Sequence, residues 1–201
     1  MLLEGYVELD TGRLQCAMHN EQAKPARALL YTLRGLHTRN FGWALACCGW
    51  QREQAEDVLQ EAYLRVLDGR AKFAGQSAPA TWFFGVIKRV AAESLRRQRR
   101  RDLLKLRVLH SETPDARDLA RVQDDTQLQQ DESAAALRAA LLQLPQRQRE
   151  VLHLVFYCEL TLQESSLVLQ ISLGSVRTHY HRGKTALAQL IEQDEAHDII
   201  T

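Results

Sequence analysis

Lys88, Arg89, Arg96, Arg97, Arg99, Arg100 and Arg101 crowd a short stretch of chain in which Glu93 is the only acid. Guanidinium and ammonium groups at this density suit phosphate, arginine through its planar fork and lysine as a point charge. A second basic set comprises Ser172, Ser175, Arg177, Thr178, His181, Arg182 and Lys184, with no acid between Gly174 and Gln189. Small hydroxyl residues followed by cations along one helix fit a DNA major groove: the first reach base edges and the rest hold backbone. Neither set carries bond-making chemistry, and no catalytic group is assigned. His179 and His181 stand two residues apart, which points them to different sides of a helix, so no metal site follows. No cofactor is implied either. The plainer reading of both sets is a solvated helix face, with the arginines suiting a helix C-terminus.

The elements that present these residues are helical. From Thr81 to Arg101 the chain reads TWFFGVIKRVAAESLRRQRRR, with Phe83, Val86, Ile87 and Val90 at three- and four-residue spacing on one stripe. One helix can thus dock on a core and carry the arginines outward. Upstream, Glu53 to Leu67 places Ala55, Val58, Leu59, Ala62, Tyr63, Val66 and Leu67 on one face. Ala28 to Cys48 reads as one or two helices with Leu29, Leu33, Leu36, Phe41, Leu45 and Cys48 inward, broken at Gly49. The loop KFAGQSAP, closed by Pro79, joins the two later helices.

Downstream, Ser133 to Leu144 stops at Pro145, and Arg147 to Tyr157 follows with Val151, Leu152, Val155 and Phe156 inward. Thr161-Leu162-Gln163-Glu164 has the form of a capping box. It opens a short helix, after which Ser172 caps another with Val176, Tyr180, Gly183 and Leu187 inward. This is a helix-turn-helix pattern.

The whole chain has 201 residues, 45% hydrophobic and 25% charged, with a net charge of +1. That balance hides segregation. Between Glu112 and Glu132 seven acids face two arginines, directly after the basic cluster. The expected fold class is all-α: two small helical domains joined by a polar, acidic linker. The boundaries read as an N-terminal extension 1–27, a first domain 28–101, the linker 102–132, a helix-turn-helix domain 133–192 and a tail 193–201. No apolar run nears the roughly 18–20 residues of a membrane span. MLLEGYVELDTGR lacks the basic start of an export signal. Cys16, Cys47, Cys48 and Cys158 form no CxxC pair, so they read as small apolar residues of a reduced, cytoplasmic protein.

Four segments in order resemble the extracytoplasmic-function group of bacterial sigma-70 family sigma factors. AEDVLQEAYLRVL is similar to the segment that grips the polymerase clamp helices, and TWFFGVIKRVAAESLRRQRRR to the helix that meets the −10 element. LPQRQREVLHLVF and ISLGSVRTHYHRGKTAL resemble the entry to region 4 and its −35 reading helix. The resemblance makes 28–101 a region-2 domain and 133–192 a region-4 domain. It implies a promoter-specificity subunit with core RNA polymerase (clamp helices and flap), promoter DNA and an anti-sigma factor as partners, and no membrane insertion of its own.

By the same resemblance, Asp57, Gln60 and Glu61 contact core polymerase. Lys72, Phe73, Ala74, Gly75 and Trp82 lodge an unpaired −10 base, with Lys88, Arg89, Arg96 and Arg97 on its backbone. Ser172, Ser175, Arg177, Thr178 and His181 read the −35 duplex, with Arg182 and Lys184 on phosphate. The acidic linker is then expected to thread the positively lined polymerase channel. Asp57 and Glu61 also repel one another at four-residue spacing, a cost that a basic partner would relieve. Departures from the family pattern are Pro79, Arg89 in place of an asparagine, Glu93 in place of an aspartate, and Ser165-Ser166 in place of Ile-Ala. The last is expected to loosen the helix-turn-helix. Two other classes compete. A two-domain regulator of LuxR-like type would bind DNA without polymerase, and a nuclease or recombinase would need a metal site at Asp124-Asp125 or Asp131-Glu132.

Overall fold

The computed structural model describes residues 24–109 and 132–198. Every regular element among them is helical: α1 Lys24–Arg34, α2 His37–Cys47, α3 Arg52–Leu67, α4 Pro79–Leu109, α5 Glu132–Gln143, α6 Gln146–Leu152, α7 Leu162–Leu169 and α8 Leu173–Asp198. A π turn, His153–Tyr157, continues α6. The N-terminal extension to residue 23 and most of the acidic linker lie outside the described residues. α4 starts on Pro79, where the missing N–H costs nothing. It runs on to Leu109, past the arginine cluster, so the stretch read as the start of the linker is helical.

Helices α1 to α4 form the first module. The inward stripes of α3 and α4 fall as their spacing predicts: Ala55, Val58, Leu59, Ala62 and Val66 are buried, and so are Phe83, Val86, Ile87 and Val90. α2 differs. Its centre is Trp43, fully buried, whereas Phe41, Leu45 and Cys48 are only half-buried. Single-face periodicity failed here because α2 is covered on two sides, by its own module and by the second.

Helices α5 to α8 form the second module. The capping box closes as written: Thr161 Oγ1 accepts from Glu164 N at 3.2 Å, and Thr161 N donates to Glu164 Oε2 at 2.9 Å. Phe156 corrects its expected inward position, being 61% exposed. The physical reason is the π turn. Cys158 N reaches five residues back to His153 O at 3.0 Å, so the helix widens and its phase slips. Cys158, rather than Phe156, then enters the core. Ser165 is fully buried and its hydroxyl finds no partner. An unpaired buried hydroxyl is a cost.

The two modules pack on one another. α4 lies against α7, and α2 against α6 and the π turn. One apolar cluster runs from Leu33 to Val176. Its lining joins Trp43 to His153, whose rings stand 5.7 Å apart. His153 also faces Trp50 and Tyr157, at 6.1 and 4.8 Å. Burial pulls its pKa from 6.5 to about 4. A base that stays neutral when folded binds its proton more readily when unfolded, so stability rises with pH between these two values. Moving from pH 7 to pH 5 is expected to remove about 2 kcal/mol, read as a lower urea midpoint. A His153→Phe chain should lose most of that dependence; an unchanged profile would mean that His153 is not buried in solution.

Candidate nucleic-acid interface

On α4, Arg89, Arg96, Arg97, Arg99, Arg100 and Arg101 are all exposed. Arg89, Arg96 and Arg100 stand seven and four residues apart, which aligns them along one face. Lys88 is placed differently. Its Nζ lies 2.8 Å from Glu150 Oε1, and Glu150 is only 2% exposed. It also sits 5.7 Å from the Trp43 ring centre. In this packing Lys88 serves the contact between modules, while the arginines stay outside it. Glu93 bridges back to α3, accepting from Arg65 Nη1 and Nη2 at 3.2 and 2.6 Å. That fork, with partial burial opposing it, holds the Glu93 carboxyl below the usual carboxylate range.

The loop before α4 brings Phe73 and Trp82 together, ring centres 5.3 Å apart and inclined at 56°. Both rings are half-buried, with Lys72 and Ala74 exposed beside them. Gly75 has φ +73°, a left-handed value that lets the loop turn back without strain. Partly open aromatic faces beside a cation are the chemistry on which unpaired bases can stack.

Asp57 and Gln60 are exposed on α3, and Glu61 is half-buried. Glu61 is already compensated within the chain, since its Oε1 accepts from Arg65 Nε at 2.9 Å and from Arg70 Nη1 at 3.1 Å. Those partners, Arg65 first, lower its pKa. The repulsion read between Asp57 and Glu61 is therefore relieved internally, and Asp57 is the acid left facing outward.

The α7–α8 pair supplies the second face. Gln170 ends α7 in the left-handed region at φ 54°. Two residues later Ser172 Oγ accepts from Ser175 N at 3.1 Å and stands 2.9 Å from Ser175 Oγ. Val176 is buried, and Ser172, Ser175, Arg177, Thr178, His181, Arg182 and Lys184 are all exposed. Thr178 Oγ1 donates to Gly174 O at 3.0 Å, so its hydroxyl proton is spent within the helix. Among these residues the long reach belongs to Arg177, His181, Arg182 and Lys184. Sequence reasoning missed Arg39, Trp43 and Glu150. For Glu150 the available signal was a lone acid running straight into the apolar Val151-Leu152 pair.

A cationic helix with an aromatic loop, beside a helix-turn-helix with an outward basic face, defines a two-module nucleic-acid-binding protein. Comparison with known proteins makes the class specific. Residues 37–101 match the family model for sigma-70 region 2, and residues 134–187 match that for sigma-70 region 4. The extracytoplasmic-function sigma factor SigX of Bacillus subtilis is 33% identical over 144 residues, 70% of this chain and 72% of the relative. SigW of the same organism is 27% identical over 139 residues, covering 67% and 73%. The chain belongs to the sigma-70 family, in its extracytoplasmic-function group.

Two solved structures share the fold at low identity. RpoE of Bartonella quintana, in complex with the anti-sigma factor NepR, gives a TM-score of 0.54 at 16% identity, covering 85% of this chain and 98% of that one. CnrH, in complex with the cytosolic domain of CnrY, gives 0.56 at 18%, covering 90% and 95%. Membership makes the protein a promoter-specificity subunit. It binds core RNA polymerase and directs transcription initiation at −10 and −35 elements. A LuxR-like regulator is not favoured. Among the described residues no helix is long and apolar enough to cross a membrane.

Proposed function

We propose the following division of labour among the residues of this sigma factor. Asp57 and Gln60, with Glu61 as a partner already tied to arginine, face the clamp helices of core polymerase, and region 4 meets the flap. Phe73 and Trp82, framed by Lys72, Ala74 and Gly75, stack an unpaired −10 base, while Arg89, Arg96 and Arg97 hold its backbone. Lys88 joins them once freed from Glu150. Arg177 and His181 read −35 base edges beside Ser172, Ser175 and Thr178, with Arg182 and Lys184 on phosphate. The acidic linker follows the polymerase channel. The protein acts in the cytoplasm, performs no catalysis of its own, and is held in check by an anti-sigma factor, the kind of partner that RpoE of Bartonella quintana binds in its solved complex.

The observation that carries this reading is the α8 face, where every side chain assigned to −35 recognition is exposed on one helix capped by Ser172. Transcription in vitro over a promoter library, with core polymerase and with or without the chain, is the test. Addition of the chain should select one promoter class, and no selection would remove the assignment. Arg177→Ala should relax discrimination at one −35 position by about 1–3 kcal/mol. Uniform weakening over all sequences would instead make Arg177 a phosphate contact.

A further inference from the structure

Glu93 is the only acid between Lys88 and Arg101, and it stands inside the face assigned to −10 DNA. Arg89 precedes it by four residues, and Arg96 and Arg97 follow by three and four. All three cations are therefore its neighbours on the helix surface. A carboxylate in that place works against a phosphate backbone in two ways. It repels the backbone directly, and it offers each arginine a rival anion.

The rivalry is settled from the neighbouring helix. Arg65, on α3, donates to Glu93 Oε1 from Nη1 at 3.2 Å and to Oε2 from Nη2 at 2.6 Å. Its Nε donates to Glu61 Oε1 at 2.9 Å, which fixes the plane of the guanidinium. Both oxygens of Glu93 are thus engaged by a side chain only 16% exposed. Arg97 Nη2 stays 4.0 Å from Glu93 Oε2, beyond hydrogen-bond reach, and its side chain is 68% exposed. Arg65 is also the first cause of the lowered Glu93 pKa, ahead of Arg97 and Arg96. α3 and α4 have a separate clasp, Gln54 Nε2 donating to Gln98 Oε1 at 3.1 Å, so their packing does not hang on Arg65 alone.

We propose that Arg65 is a positioning residue for −10 binding: its fork occupies Glu93, so that Arg89, Arg96 and Arg97 remain available to DNA phosphate. This rests on the assignment of the −10 face made above, to which it adds a residue from the other helix. Arg65 acts through Glu93 and does not touch DNA. Without the fork, Glu93 turns to Arg97, one helical turn further on, in the favoured order of acid before base.

The test uses the full chain assembled with saturating core polymerase. The probe is a fluorescent non-template strand carrying the −10 element of a promoter that the library selects. Anisotropy reads binding over a salt series, and urea midpoints check the fold of each variant. Arg65→Gln should weaken binding about five- to tenfold, between the worth of an exposed ion pair and that of a charged hydrogen bond. The slope of log affinity on log salt should shrink by about 0.7, the share of one phosphate on a single strand. Arg65→Gln combined with Glu93→Gln should return to within about twofold of wild type. That double variant lacks the same bridge between helices, so a purely structural role for Arg65 would give no rescue. Glu93→Gln alone should bind at least as tightly as wild type, a result that does not depend on how Arg65→Gln folds. Full binding by Arg65→Gln, a loss that persists in the double variant, or weaker binding by Glu93→Gln would each overturn the inference. A wild-type holoenzyme that ignores the strand would instead defeat the −10 assignment itself.

Discussion

Trp43→Ala is expected to cost about 3–5 kcal/mol of stability, the range for emptying a large aromatic site in a core. Trp43 is fully buried, its Nε1 donates to Phe84 O at 3.0 Å, and its ring faces His153 of the second module. The cavity would open where both modules meet, so neither could collapse to fill it alone. For a chain of this size the thermal midpoint should fall by about 10 °C. Phe41→Ala is the comparison, because Phe41 lies on the same helix but is only half-buried. It should cost clearly less. Equal losses for the two, in urea or heat, would show that α2 is packed on a single face and that the central place given to Trp43 is wrong.

Asp57→Lys is expected to weaken binding of core polymerase by about a hundredfold. Like charges set against one another in an interface cost several kcal/mol. The proposed partner surface is basic, so reversing the outward acid of the assigned set turns attraction into repulsion. Changing Glu61 would be a poorer test. Its carboxylate ties Arg65 and Arg70 to α3, so its loss would disturb the fold as well as the surface. Asp57 is exposed on the helix surface, and Asp57→Lys should leave the urea midpoint nearly unchanged. Titration of labelled chain against core enzyme provides the reading. An affinity equal to wild type would remove the clamp contact from α3, without touching the family membership.

Local patterns carried much of the fold. The stripes of α3 and α4, the Thr161–Glu164 box and the Ser172 cap were legible because each depends on residues three or four apart along one helix. The exposed arginines of α4 and the basic face of α8 were legible for the same reason: a helix with one apolar stripe must turn its charges outward. Arg39, Trp43 and Glu150 were not, since the contacts that single them out (Arg39 with Glu159, Trp43 with His153, Glu150 with Lys88) cross between modules, where no local period reaches. Phe156 misled because a π turn changes the number of residues per turn, and simple spacing assumes that number constant.

By itself the sequence determined the helices, their order, the two basic faces and the family. Each of those is written in short-range spacing or in the residues of contiguous motifs. Only the tertiary structure decided that Lys88 answers Glu150, that Arg65 forks onto Glu93 of the next helix, and that α2 is covered on both sides. Such outcomes follow from which surfaces meet. Burial raises the cost of an unpaired charge, so a lysine and a glutamate far apart in the chain pair once their helices close around them.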